Sequence, residues 1–282
     1  MGLRINTNVA SLNSQRALGK TGLELQKTLE KLSSGERINR AGDDAAGLAI
    51  SESLKAQIKG LGAAERNAED GISLVQIAEG GLNEISNILI RLRELGVQAA
   101  SDTVSNVERR FLNLEFEQML DEIDRIANTT EFNNVQLLNG TGAVLDIQVG
   151  VRNDPLVDRL TFDAAKADVN VSSLGLNLAS VMDKISAQNS LAAIDNAISD
   201  VTGVRADFGA MQARLQSTIN NLQISAENLS AAKSRIRDAD YAKETAELTR
   251  NNVKYQAGTS VLAQANTNTK NALTLVNAAT QG

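Results

Sequence analysis

The sequence predicts a mainly α protein, a long antiparallel coiled-coil or helical bundle with a small central β-hairpin region, and three observations carry that prediction. Proline occurs once in 282 residues, at Pro155, so a residue that ends or kinks helices is almost absent. Aromatic residues make up 2% of the chain, which leaves burial to Leu, Ile, Val and Ala rather than to large rings. Apolar residues recur every seven positions in both halves, the pattern of helices that pack side by side.

The elements follow in order. Leu18, Leu25 and Leu32 stand seven residues apart, with Leu29 beside them, and predict a first helix. The stretch LSSGERINRAGDDAAGLAIS then interrupts the apolar repeat and brings Glu36, Arg37, Arg40, Asp43 and Asp44 close together, which reads as a glycine-containing joint. The ladder resumes at Leu54, Leu61, Ala68, Val75, Leu82 and Leu89. A third helix is predicted from about Val104 to Ala127, with Leu112, Phe116, Leu120, Ile123 and Ala127 on one face. After it the period changes. Leu145, Ile147 and Val149 alternate with polar residues and glycine, and RLTF at 159–162 returns beside them across the turn around Pro155. In the second half Ala187, Ile194, Val201, Phe208, Leu215, Leu222, Leu229 and Ile236 keep the seven-residue step. A helix of that span is a rod of roughly 75 Å.

At the C-terminal end no acidic residue follows Glu247, while Leu262, Ala265, Thr269, Ala272, Val276 and Ala279 keep a spacing of three and four. Weakly charged helices of this kind need company. Gly60, Gly62, Gly71, Gly80 and Gly81 fall inside the helical pattern, each at a cost of about 1 kcal/mol relative to alanine. They predict close approach of neighbouring helices or support from beyond the single chain.

Composition excludes much chemistry. With His 0 and Cys 0, zinc hydrolases, Ser-His-Asp hydrolases and thiolate sites are ruled out. A formal net charge of −6 argues against holding nucleic acid by neutralising phosphates. No run reaches the roughly 18 apolar residues of a membrane span, and MGLRINTNVASLNSQ lacks the apolar core of a cleaved secretory signal. The chain is therefore expected in the cytoplasm, or outside it by a route that does not read such a signal. GKT at 19–21 has Ser14 where a phosphate loop needs its first glycine, and NGTGAVL at 139–145 has Leu145 where a dinucleotide fingerprint needs its third. The acids of LEFEQMLDEID scatter around a helix, without the loop geometry of a calcium site. No enzyme, cofactor or metal is expected.

Long ordered stretches carry a resemblance. INTNVASLNSQR (5–16), the joint at 32–51, IRLRELGVQAASDT (90–103), DEIDRIANTTEFNNVQLLNG (121–140), SRIRDADYAKETAELTR (234–250) and AGTSVLAQANTNTKNAL (257–273) resemble bacterial flagellin, the subunit of the flagellar filament. The resemblance implies a minimal subunit without large outer domains. Its parts would be an inner-core helix at 1–32, a connector loop at 33–47, the N-terminal part of a bundle at 48–128, turns and β-hairpins at 129–178, a long bundle helix at 179–238, a connector at 239–255 and a C-terminal inner-core helix at 256–282. It also implies a helical homo-polymer for motility, with Leu18, Leu25, Leu32, Leu262, Ala265 and Val276 as subunit-assembly residues. In the connector loop, Glu36, Arg37, Arg40, Asp43 and Asp44 would pair between neighbouring subunits.

Further partners implied are a flagellin secretion chaperone on the last helix, the filament cap and junction proteins, and an animal Toll-like flagellin receptor reading Arg91, Leu95 and Glu115. Ile90 and Gly96 depart from the family's usual glutamine and alanine around that motif. Export would run through the flagellar type III apparatus to the extracellular flagellum, without a cleaved signal peptide. The rival readings are the hook–filament junction protein of the same family and, from another class, a soluble coiled-coil scaffold.

Overall fold

The computed structural model describes residues 7–280, the side chains of 272, 273 and 275–280 excepted. Its helices are α1 (Val9–Ser34), α2 (Ala45–Ala99), α3 (Asn106–Thr129), α4 (Lys184–Arg237) and α5 (Tyr241–Thr280). Between α3 and α4 lie the strands β1 (Glu131–Phe132), β2 (Val135–Gln136), β3 (Val144–Gln148) and β4 (Arg159–Asp163). The chain divides into two compact units, one of Met1–Ala56 with Leu229–Gly282 and one of Gln57–Asn228.

In the first unit α1 and α5 run antiparallel, as three contacts show. Asn8 Nδ2 donates to Ala265 O at 2.9 Å, Gly258 meets Leu18, and Lys31 Nζ lies 3.3 Å from Glu244 Oε1. Asn8 also caps α1, its side chain accepting from Ser11 N at 3.0 Å, and Gly35 ends the helix in the left-handed conformation at φ 71°. The joint that follows covers 35–44, because Asp44 Oδ1 accepts from Gly47 N at 2.8 Å and starts α2.

The expected second connector, 239–255, is corrected by the structure: α5 begins at Tyr241. Asp240 Oδ1 accepts from Ala242 N at 2.9 Å and from Lys243 N at 3.1 Å, and Glu244 in the first turn suits the positive end of the helix dipole. Nothing between 241 and 255 breaks a helix, so only 238–240 separates α4 from α5. The long bundle helix likewise starts at Lys184 rather than 179, where Asp183 Oδ1 accepts from Ile185 N and Ser186 N, each at 3.0 Å.

The second unit is an antiparallel bundle of parts of α2 and α4 with α3 and two hairpins. Gln223 Nε2 donates to Glu65 Oε1 at 2.7 Å, and Arg93 Nε lies 2.6 Å from Asp195 Oδ1, which fixes the register of α2 against α4. A capping box of Ser105 and Glu108 opens α3. The buried Arg109 closes the α2–α3 corner by donating to Ala99 O and Ser101 O, both at 2.8 Å. The short β1–β2 hairpin turns on Asn133 and Asn134, both at positive φ, as a two-residue hairpin turn requires. In the second hairpin Leu145 pairs with Phe162 and Ile147 with Leu160.

The core of this unit is aliphatic, with Leu82, Ile85, Leu89 and Leu92 from α2 and Phe116 and Ile123 from α3 fully buried. The hairpin joins it where Phe162 and Phe208 place their rings 5.3 Å apart. Three helix glycines admit this layer. A Cβ at Gly60 would come within 2.7 Å of Val151, at Gly71 within 2.7 Å of Ile147 and at Gly81 within 2.8 Å of Leu138 and Thr130. Close approach inside the chain therefore explains three of the five, whereas Gly80 faces open space and Gly62 nearly so.

Candidate functional site

Among the described residues the unusual surface is the α1–α5 pair. A two-helix coiled coil normally buries its apolar seam. Here the buried residues of α1 and α5, among the described residues, are Ser11, Thr28, Glu244 and Asn251. Ser11 Oγ donates to Asn266 Oδ1 at 2.9 Å, while Thr28 turns its hydroxyl back on Glu24 O at 2.9 Å. Large apolar side chains lie outside: Leu12, Leu23 and Leu29 on α1, Val253 and Val261 on α5, with Leu23 64% exposed.

The sequence-predicted assembly residues take a different place from these. Leu18, Leu25, Leu32, Leu262 and Ala265 are half-buried, and Leu18, Leu32 and Ala265 make contacts across the pair, to Gly258, Tyr241 and Asn8. The side chain of Val276 lies outside the described residues. The heptad ladder found the seam. Leu29 was read beside that ladder; Leu12, Leu23, Val253 and Val261 were missed because they fall off it, although further apolar residues on α1 were a readable signal.

The joint at 35–44 is held by pairing within the chain rather than left with free charges. Arg237 Nε lies 2.8 Å from Glu36 Oε1, and its Nη1 bonds the Glu52 carboxylate. Those two carboxylates raise the Arg237 pKa, the hydrogen bond to Glu52 most, and the same bond holds Glu52 below its ordinary value. The backbone joins in: Arg37 N donates to Arg237 O at 2.6 Å and Ala239 N to Gly35 O at 2.9 Å. The Arg37 guanidinium bonds Ile236 O, and Arg40 Nη2 lies 2.8 Å from Glu30 Oε1. Asp43 Oδ2 accepts from Arg40 N at 3.1 Å, and Asp44 caps α2. The Cδ1 methyl of Ile38, a residue 1% exposed, packs over Gly47 at the centre of this clamp.

Arg91 and Glu115 come together in the second unit, with Arg91 Nη2 2.8 Å from Glu115 Oε1 and Nη1 2.9 Å from Glu94 Oε2. Both carboxylates raise the Arg91 pKa, Glu115 first. Leu95 does not join them at the surface: it is 0% exposed. Among the described residues no helix is long and apolar enough to cross a membrane.

Comparison with known proteins supplies the decisive observation. The family described as bacterial flagellin N-terminal helical region matches residues 5–143, and the bacterial flagellin C-terminal helical region matches residues 191–276. The chain belongs to the bacterial flagellin family. It is 48% identical to a flagellin of Halalkalibacterium halodurans over 93% of this chain and 95% of that protein. It is 44% identical to a flagellin of Bacillus subtilis over 97% and 100%. Against the flagellar filament 33 kDa core protein of Treponema phagedenis the identity is 41% over 96% and 99%. Among solved structures, a Bacillus cereus flagellin aligns at TM-score 0.50 and 34% identity, covering 60% of this chain and 94% of that one. This flagellin is a structural subunit of the filament, and the described architecture of helices with a small β region is that of its family.

Proposed function

We propose that copies join through the outward face of the α1–α5 pair, and that the chain serves as a subunit of the extracellular filament with no catalytic role. The observation that carries this is the make-up of the pair: its buried residues are polar, its seam leucines Leu18, Leu25 and Leu32 are only half-buried, and Leu12, Leu23, Leu29, Val253 and Val261 are exposed. Apolar area on that scale is stabilised by a partner, and identical copies are the partner a filament supplies. Hydrophobic burial then drives addition at the growing end, and the terminal helices order as they add.

The route out of the cell is the flagellar type III apparatus, with a secretion chaperone on α5 until export and cap and junction proteins at the filament ends. The support is the match of the N- and C-terminal helical regions to the bacterial flagellin family. Recognition by an animal Toll-like flagellin receptor would fall on Arg91 and Glu115 alone, because Leu95 is fully buried. The three-way pairing of Arg91 with Glu94 and Glu115 gives these side chains a structural role, which we take as primary.

The test is elongation of short filament seeds, followed by negative-stain microscopy, for the intact chain and for a version lacking residues 1–32 and 256–282. Long tubes from the intact chain alone support the reading. Equal elongation by the truncated chain overturns it.

A further inference from the structure

The seam of the α1–α5 pair holds one charge that is expensive to bury. The Glu244 side chain is 7% exposed, its Oε1 lies 3.3 Å from Lys31 Nζ, and its Oε2 has no hydrogen-bond partner. Thr28 and Asn251 are buried in the same region, where Glu24, Lys27, Lys31, Glu247, Arg250 and Lys254 line a polar cleft between the helices. A leucine at any of these positions would give more burial for less desolvation, so stability alone does not explain the layer.

Selection among partners does explain it. Many identical copies of α1 and α5 crowd together in a filament, and the outward residues Leu12, Leu23, Leu29, Val253 and Val261 discriminate poorly, since aliphatic contacts accept any apolar neighbour. A buried charge does discriminate. Opposite α1, Glu244 meets Lys31; opposite another α5 it loses that partner, and the cations of α5 in the cleft, Arg250 and Lys254, stand further along the helix. Two α1 helices paired together separate Lys31 from Glu244 as well, at a smaller cost because Lys31 is partly exposed. Polar groups at coiled-coil core positions are known to set partner and register in this manner, at a cost in stability.

We infer that the Lys31–Glu244 layer, with Thr28 and Asn251, is the specificity-determining contact that makes α1 take α5, and not a second copy of itself, as its seam partner. The inference concerns the seam and stands apart from the role of the outward face.

The absence of cysteine makes a clean test. A Cβ placed at Gly22 would lie 4.0 Å from the Tyr255 ring, so position 255 sits against α1 in the native pair and a cysteine there reports what α5 meets. Tyr255→Cys reports α5–α5 pairing as a covalent dimer. Full-length chains are oxidised during seed elongation and separated on a non-reducing gel. Replacing the layer by Lys31→Leu with Glu244→Leu is expected to raise the dimer fraction from Tyr255→Cys about tenfold, the discrimination that loss of one partly buried charge pair removes. The exchange Lys31→Glu with Glu244→Lys is expected to keep the parent pattern, because complementarity survives it. An unchanged dimer fraction in the leucine variant overturns the inference, as does a raised one in the exchange variant. If the leucine variant precipitates, Glu244→Gln decides: a smaller rise in dimer supports the inference, and none overturns it.

Discussion

The two units of this flagellin solve opposite problems with the same kind of helix. In the bundle of residues 57–228, Leu82, Leu89, Leu92, Phe116 and Ile123 are fully buried, and α3 leaves a short apolar stripe of Val107, Phe111 and Leu114 exposed. In the terminal pair Thr28, Glu244 and Asn251 are buried, Leu18, Leu25 and Leu32 are half-buried, and Leu12, Leu23 and Val261 are exposed. The bundle supplies its own partners. On the proposed reading the pair is one layer of a structure whose other layers are copies, so its driving force becomes available only on assembly.

That contrast can be broken at either end. Phe116→Ala removes a fully buried ring from the bundle and is expected to cost about 3–5 kcal/mol of its stability, read as a lower urea midpoint of the free chain. Leu23→Glu and Val261→Glu should leave that midpoint where it is, since both side chains are exposed in the single chain. They are instead expected to raise the concentration needed for seed elongation about a hundredfold, because each places an unpaired charge in a face that assembly desolvates. Unimpaired elongation by both glutamate variants would mean that the outward face is not the joint.

Much of this was legible in the sequence, and the parts that were not have a common cause. The ladders from Leu54 to Leu89 and from Ala187 to Leu222 follow the buried face because one neighbour covers one stripe, which is what a heptad records. Reading Leu18, Leu25 and Leu32 the same way found the seam and missed Leu12 and Leu23, since these fall between the rungs of that ladder. The charges of the joint were visible, but their partner Arg237 lies about 200 residues away from Glu36 and belongs to no local pattern. The start of α5 was readable at Asp240, a capping residue with Glu244 in the first turn. Instead the whole stretch to 255 was taken for a connector, although it holds neither glycine nor proline.

Two adjacent glycines sharpen the comparison at smaller scale. Gly80 meets nothing within 4 Å, whereas a Cβ at Gly81 would lie 2.8 Å from both Leu138 Cδ1 and Thr130 Oγ1. Gly80→Ala is therefore expected to stabilise the bundle by about 0.5–1 kcal/mol through helix propensity alone. Gly81→Ala gains the same propensity and is expected to lose about 1–3 kcal/mol to overpacking against the hairpin layer. Denaturation of the two variants should move the midpoint in opposite directions, and a common direction would show that the hairpin yields.

The smallest effect belongs to the joint. Glu52 is exposed, and its pKa is lowered chiefly by the hydrogen bond from Arg237. A carboxylate held below its ordinary value contributes fully above that value, about pH 4.3 for glutamate, and loses its contribution as pH falls through the lowered one. Acidification below about pH 4 should therefore loosen the contact of Arg237 with Glu52 and, through it, the backbone bonds from Arg37 N to Arg237 O and from Ala239 N to Gly35 O. The observable is amide exchange of the 35–44 peptide in the full chain, corrected for intrinsic pH dependence. Its protection should fall on acidification more in the parent than in Glu52→Gln, which has no such carboxylate to protonate. Salt should shrink the difference between the two, because an exposed ion pair is screened. Equal pH dependence in the two chains would overturn the role given to the Glu52 carboxylate.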